Sequence, residues 1–143
     1  MDVQELIDRA EIADALTRYT LAIDEGDFDR LDAVFVPDAQ IDYTESGGVA
    51  DSYPVVKAWL AEALPGFSTH RIHMLGQVAC AFAAGGDEAE VTAYFHNPMR
   101  VSDGAGGERV VEVGGRYEHT FVRTTDGWRS RRLHEKVVWT RGF

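Results

Sequence analysis

Three glycine-bearing clusters divide the second half of the chain into long segments, and this spacing restricts the fold more than any other feature. Ala84-Gly85-Gly86-Asp87, Gly104-Ala105-Gly106-Gly107 and Thr125-Asp126-Gly127 separate stretches rich in Val, Phe, Tyr, Thr and Trp. Glycine supplies the backbone conformations of a tight reversal, and β-branched and aromatic side chains suit a pleated surface. The pattern predicts four hairpin-linked antiparallel strands, from His70 to Ala83, Glu88 to Val101, Arg109 to Arg123 and Trp128 to Thr140. Each exceeds the usual strand of about five or six residues, so the sheet must curve strongly. Val113-Gly114-Gly115 is the expected bulge or bend, because glycine inside a strand otherwise only weakens it.

The first half follows a different period. Leu6, Ile7, Ala10, Ala13, Leu16, Tyr19 and Ile23 recur at three- and four-residue steps, the stripe of a helix from Val3 to Ile23 that Gly26 stops. A short second helix fits Phe28, Leu31, Asp32 and Phe35. Val36-Pro37-Asp38 then breaks the pattern, and Ala39, Ile41 and Tyr43 alternate as a strand would. Glu45-Ser46-Gly47-Gly48 reads as a loop, and Val55, Val56, Trp59, Leu60 and Leu64 as a third helix closed by Pro65-Gly66. Three helices followed by a long curved sheet predict an α+β, cone-shaped fold, with a strongly curved mixed or antiparallel sheet wrapped around the N-terminal helices. With no linker or repeat, 143 residues are expected to form one domain, 1–143.

Charge narrows the partners. With 24 acids against 14 bases the net charge is −10, which repels phosphate, so nucleic acid is not expected as a partner. Arg129, Arg131, Arg132 and Lys136 are the single locally basic stretch. The acidic, amphipathic amino terminus lacks the basic start and apolar run of a secretory signal, and no apolar stretch approaches the ~20 residues needed to span a bilayer. The lone Cys80 sits in an apolar run that reads as buried. A cytoplasmic protein with no membrane partner is the expectation.

Candidate chemistry begins at the end of the first helix, where Tyr19 lies on the apolar stripe and Asp24 follows about 140° further round. Helix geometry alone does not make them neighbours; fraying at Gly26 would. His73, His96 and His119 each fall within a proposed strand, and histidine is the side chain best suited to moving protons near neutral pH. From the residues alone, Asp24 also reads as a solvated acid at a helix end, and each histidine as a packed or surface imidazole. Parity puts Tyr94 with His96, Tyr117 with His119 and Phe121, and His73 with Leu75, without saying which face is inward. His70 and His73 point to opposite faces of a strand, and no helical His pair or Cys pair occurs, so no metal is expected. No Gly-x-Ser-x-Gly elbow or phosphate-binding glycine motif is present.

The run Tyr19...Asp24-Glu25-Gly26-Asp27-Phe28-Asp29-Arg30-Leu31, with Phe35-Val36-Pro37-Asp38-Ala39 and Ile41-Asp42-Tyr43, resembles the opening of SnoaL-like proteins of the nuclear-transport-factor-like superfamily. Thr69-His70-Arg71-Ile72-His73-Met74-Leu75-Gly76, Gly115-Arg116-Tyr117-Glu118-His119 and Asp126-Gly127-Trp128-Arg129 extend the resemblance over nearly the whole chain. The resemblance includes the scytalone dehydratase and bile-acid dehydratase group. That resemblance implies Asp24 and His73 as an acid/base pair needing no cofactor, with Tyr19 and Tyr43 donating hydrogen bonds to a substrate oxygen. It further implies His96 or Asn97, Tyr117, His119 and Arg132 as substrate-positioning groups. His119 stands where relatives often carry aspartate.

The same cone hosts dehydratases, isomerases, polyketide cyclases, epoxide hydrolases and binding subunits. The expected function is a lyase or isomerase acting on a small ring-bearing hydroxy-ketone, polyketide-like or steroid-like, in an apolar pocket. The alternatives are a polyketide cyclase or a non-catalytic binding or dimerisation module. A homodimer is expected, through an outer sheet face carrying Phe121, Trp128, Val137 and Trp139.

Overall fold

The computed structural model describes residues 1–143. Helix α1 (Val3–Glu25) passes through a 3-10 turn (Phe28–Ala33) into β1 (Phe35–Asp42). A second 3-10 turn (Thr44–Ser46) and the short β2 (Ala50–Ser52) precede α2 (Tyr53–Phe67). Then come β3 (His70–Arg71), β4 (Met74–Phe82), β5 (Glu88–Ser102), β6 (Glu108–Thr124) and β7 (Gly127–Arg141). The seven strands form one mixed sheet in the order β2-β1-β7-β6-β5-β3, with β4 also paired to β5. β1 runs parallel to β7, and the other pairs are antiparallel. This is the expected α+β cone, with the helices against the concave face of an unclosed sheet.

Local chemistry explains most element boundaries. The Asp2 side chain accepts the Glu5 backbone N–H (2.8 Å) and so caps α1. Gly26, at φ 70°, closes α1 with its own N–H on the Ile23 carbonyl. In α2, Pro54 occupies the first turn, where its missing N–H costs nothing. Pro65 does not end α2 as expected; the helix runs to Phe67, and the Ser68 N–H still reaches the Leu64 carbonyl. The second expected helix is a 3-10 turn, and Pro37 lies inside β1 at the irregularity in its pairing with β7. β2 was not expected from the sequence.

The four long strands are found, with two informative differences. Strand 70–83 is interrupted at Ile72 and His73, although the Ile72 N–H still bonds the Pro98 carbonyl (3.2 Å). The glycine bend is where it was expected: the pairing of β6 with β7 shifts between Gly114 and Gly115. A Cβ on Gly115 would collide with the Lys136 carbonyl, so only glycine permits that approach.

Burial corrects three further expectations. On α1 the core-facing residues are Asp8, Ile12, Ala15, Leu16, Tyr19, Thr20, Ala22 and Ile23, while Leu6, Ile7, Ala10 and Ala13 are exposed. At the start of the helix the sheet presents Arg123 and the Trp128 indole N–H, so an acid takes the inward place. Phe121 and Trp128 belong to the core and not to the outer face; Trp139 is exposed there, and Val137 packs against the core. Cys80 is half-buried. No helix is long and apolar enough to cross a membrane.

Candidate active site

The last turn of α1 carries Asp24 over the gap between β3 and β4. Arg71 fastens that gap to the helix end, donating from Nε to the Ile23 carbonyl (3.0 Å) and from Nη1 to the Ser68 carbonyl (3.1 Å). Asp24 then grips His73 twice: Oδ2 accepts its backbone N–H at 2.8 Å, and Oδ1 lies 2.6 Å from Nδ1. The Ile72 N–H still reaches the Pro98 carbonyl of β5 (3.2 Å), whereas the next N–H, that of His73, points away from β5 at the edge of the sheet, and Asp24 takes it up. Because the carboxylate accepts, Nδ1 carries the proton and the neutral ring leaves its lone pair on Nε2. The His73 side chain is only 6% exposed and lines a cavity on the concave side of the sheet.

That cavity holds about 650 Å³ not occupied by protein atoms, its open mouth included. Ile23, Trp59, Leu60, Leu64, Met99 and Val113 make its apolar wall, and the rings of Phe67 and Phe143 stack at 6.3 Å on one side. Three phenols enter it. Tyr19 and Tyr43 share a hydrogen bond of 2.5 Å, and Tyr117 packs edge-on to Tyr19 and face-on to Phe95 (centroids 5.3 and 4.2 Å). Burial pushes all three hydroxyls well above the usual phenol range, so they act as neutral donors.

Two further polar side chains line the cavity with unused atoms. Neither Asn97 Oδ1 nor Glu135 Oε1, both in buried residues, has a hydrogen-bond partner. Burial, the largest influence on Glu135, raises its carboxyl above the usual range. Buried polar atoms are rarely left unpaired, and here both belong to an open cavity that a ligand can enter. No Lys or Arg lines it. No group of three or more His, Cys, Asp or Glu side chains is placed to hold a metal ion.

Of the residues singled out in the sequence, Asp24, His73, Tyr19, Tyr43, Asn97 and Tyr117 come together here. Three others do not. His96 faces outward, with Nε2 2.9 Å from Glu112 Oε1 and its ring near Trp139, because alternation along β5 sends Phe95, Asn97 and Met99 inward. His119 does face inward but lies fully buried among Phe35, Tyr19 and Phe121, outside the cavity. Its Nδ1 pairs with Ser130 Oγ (2.8 Å), and burial drives its pKa down to about 3. Arg132 is exposed, next to the inward Leu133. Sequence reasoning missed Glu135 and Ser46 as site residues; the alternation Leu133, Glu135, Val137 was the available signal for the first.

A seven-stranded cone with a largely apolar cavity on its concave side is the nuclear-transport-factor-like architecture. The SnoaL-like domain profile matches residues 4–134, and the chain belongs to that family. An uncharacterized Mycobacterium tuberculosis protein, Rv2910c, is 41% identical over 137 residues, covering 95% of this chain and 90% of that protein. Among solved structures, one assigned as a scytalone dehydratase from Novosphingobium aromaticivorans superposes with a TM-score of 0.85 at 18% identity. It covers 100% of this chain and 92% of that one. A hexachlorocyclohexane dehydrochlorinase from Novosphingobium barchaimii gives a TM-score of 0.84 at 16% identity, covering 100% and 94%. These two likenesses show the fold.

Proposed function

We propose that the protein is a cofactor-independent lyase or isomerase acting on a small, ring-bearing hydroxy-ketone. The observation that carries this reading is the double hold of Asp24 on His73, which leaves one imidazole nitrogen free in an apolar cavity. His73 Nε2 takes a proton from the carbon next to a carbonyl, and Asp24 stabilises the imidazolium that forms. The Tyr19–Tyr43 pair and Asn97 orient the substrate oxygens. In an elimination, the leaving hydroxide recovers the proton from His73 and departs as water; in an isomerisation, the proton returns to another carbon. The absence of Lys and Arg from the lining favours an uncharged substrate. Two solved structures of the same fold carry names denoting loss of water and of hydrogen chloride, which supports elimination.

The test is turnover of a panel of hydroxy-ketones by the wild type, Asp24→Asn and His73→Ala. Loss of about 10²–10⁴-fold in rate with binding retained is expected. Wild-type rates in both variants would overturn the reading, and binding without turnover by any form would make the protein a small-molecule-binding module. The same reading takes the protein as a homodimer, joined through the outer sheet face where Tyr94, Val138 and Trp139 are exposed. A monomer by light scattering removes that part.

A further inference from the structure

Proton removal by His73 leaves negative charge on the substrate, and a water-poor cavity must meet that charge with donors already in place. We propose that Glu135 is one of them: as an uncharged carboxylic acid beside the Tyr117 hydroxyl, it donates a hydrogen bond to the substrate's carbonyl oxygen. The substrate class is then an enolisable ketone or aldehyde, and not a haloalkane without such an oxygen. This rests on the acid/base reading of Asp24 and His73.

Placement supports it. Glu135 on β7 is the register partner of Tyr117 on β6, and β6 and β5 lie between β7 and the gap that carries His73. Base and donor therefore stand on different sides of one cavity with a phenol between them. Glu135 is 6% exposed and its Oε1 has no partner. The groups around it are the hydroxyls of Tyr117, Tyr43, Tyr19 and Ser46, the His73 ring, and the acid Glu45. Glu45 is committed elsewhere, to His134 Nε2 (2.5 Å) and the Val137 N–H (3.1 Å). No guanidinium or ammonium lines the cavity, and Arg71 is spent on backbone carbonyls and Ser68 Oγ. Burial raises the carboxyl more than the Ser46 hydroxyl, the His73 ring and the Tyr117 hydroxyl lower it; a carboxylate would be buried there without a permanent cation, whereas a carboxylic acid brings a proton to donate.

The chemistry balances. His73 Nε2 takes the α-proton, the C–H electron pair forms a carbon–carbon π bond, and the carbonyl π pair moves to oxygen, where Glu135 and Tyr117 hold it. When that pair returns, the carbonyl reforms, the new double bond shifts outward and the β C–O bond breaks. Hydroxide leaves with the proton from His73, and Glu135 ends as it began.

The probe is 4-nitrophenol, whose phenolate carries charge on an oxygen attached to an unsaturated carbon, as an enolate does. Binding is followed by absorbance across pH in the wild type, Glu135→Gln and Glu135→Leu. In parallel, the Glu135 δ-carbon is titrated by carbon-13 NMR and assigned with the Gln variant. The phenolate is expected to bind, about tenfold more weakly in Glu135→Leu and less than about threefold more weakly in Glu135→Gln, whose amide still donates. The δ-carbon should keep the carboxylic-acid shift at neutral pH. A carboxylate shift at neutral pH, no binding of phenolate, or binding unchanged or improved in Glu135→Leu would each overturn the proposal. If the Leu variant fails to fold, the NMR titration and the Gln variant decide. Neither readout needs turnover: an inactive protein with a neutral, donating Glu135 refutes the acid/base reading alone, and an active one with ionised Glu135 refutes this inference alone.

Discussion

Asp8 and Asp24 lie near opposite ends of α1, and the two ends handle an inward-facing carboxylate differently. Asp8 is saturated. Its Oδ1 accepts from Arg123 Nη1 (2.9 Å), Trp128 Nε1 (3.0 Å) and Gln4 Nε2 (3.0 Å), and its Oδ2 from Arg123 Nη2 (2.9 Å). The Arg123 fork, in turn anchored to Asp87, holds the carboxyl down to about 2. Asp24 spends both oxygens on His73, and the chain of bonds ends at a ring nitrogen in an open cavity. The same residue type on the same helix locks a core where its network closes and equips a site where it stays open.

Variants separate the two ends. The largest expected effect is on turnover: His73→Ala or Asp24→Asn should cost about 10²–10⁴-fold in rate, with the thermal midpoint little changed. An equal loss from Asp8→Asn would break the comparison. Next, Asp8→Ala should lower unfolding free energy by ~2 kcal/mol in urea titration, because Trp128 loses its acceptor while Arg123, one-third exposed, keeps Asp87, the Gly86 carbonyl and water. Its kcat/KM should match the wild type.

Acid should weaken the closed regions by two routes of known sign. His119 is held neutral down to about 3 against an ordinary 6.5, so between those values the unfolded chain binds the extra proton. Its contribution is complete above 6.5 and is lost as pH falls toward 3. The Asp8 contribution is complete above 3.8 and is lost as pH falls through about 2. Urea midpoints measured against pH should therefore decline first with the His119 window, and His119→Phe should flatten that part while sparing the lower one. The smallest effects belong to the residues outside the cavity: His96→Ala and Arg132→Ala should each change stability by less than about 0.5 kcal/mol and leave kcat/KM unaltered. A large loss of activity from either would return it to the site.

Much of this architecture was legible because it is written in local chemistry. The glycine clusters specify reversals wherever they sit, the three- and four-residue period specifies a helix, and Gly114-Gly115 marks a bend that no Cβ would permit. Asp24, His73 and the tyrosines were legible as a pattern shared with other chains, whereas their spacing alone did not make them neighbours. Alternation showed that His96 and Asn97 face opposite ways, but not which way is inward.

What the sequence determined by itself is the class: helices first, then a long curved antiparallel run, with an acid near the end of the first helix and a histidine early in the first long strand. Tertiary structure alone decided that Asp8 is buried while Leu6 and Ile7 are exposed, that the His73 backbone and ring both meet Asp24, and that Glu135 is a cavity residue. The physical reason is that turns and periods depend on neighbours along the chain. Inwardness depends on the curvature of the whole sheet and on the shifts at Gly114–Gly115 and Thr120–Phe121, which reset parity between strands far apart in sequence.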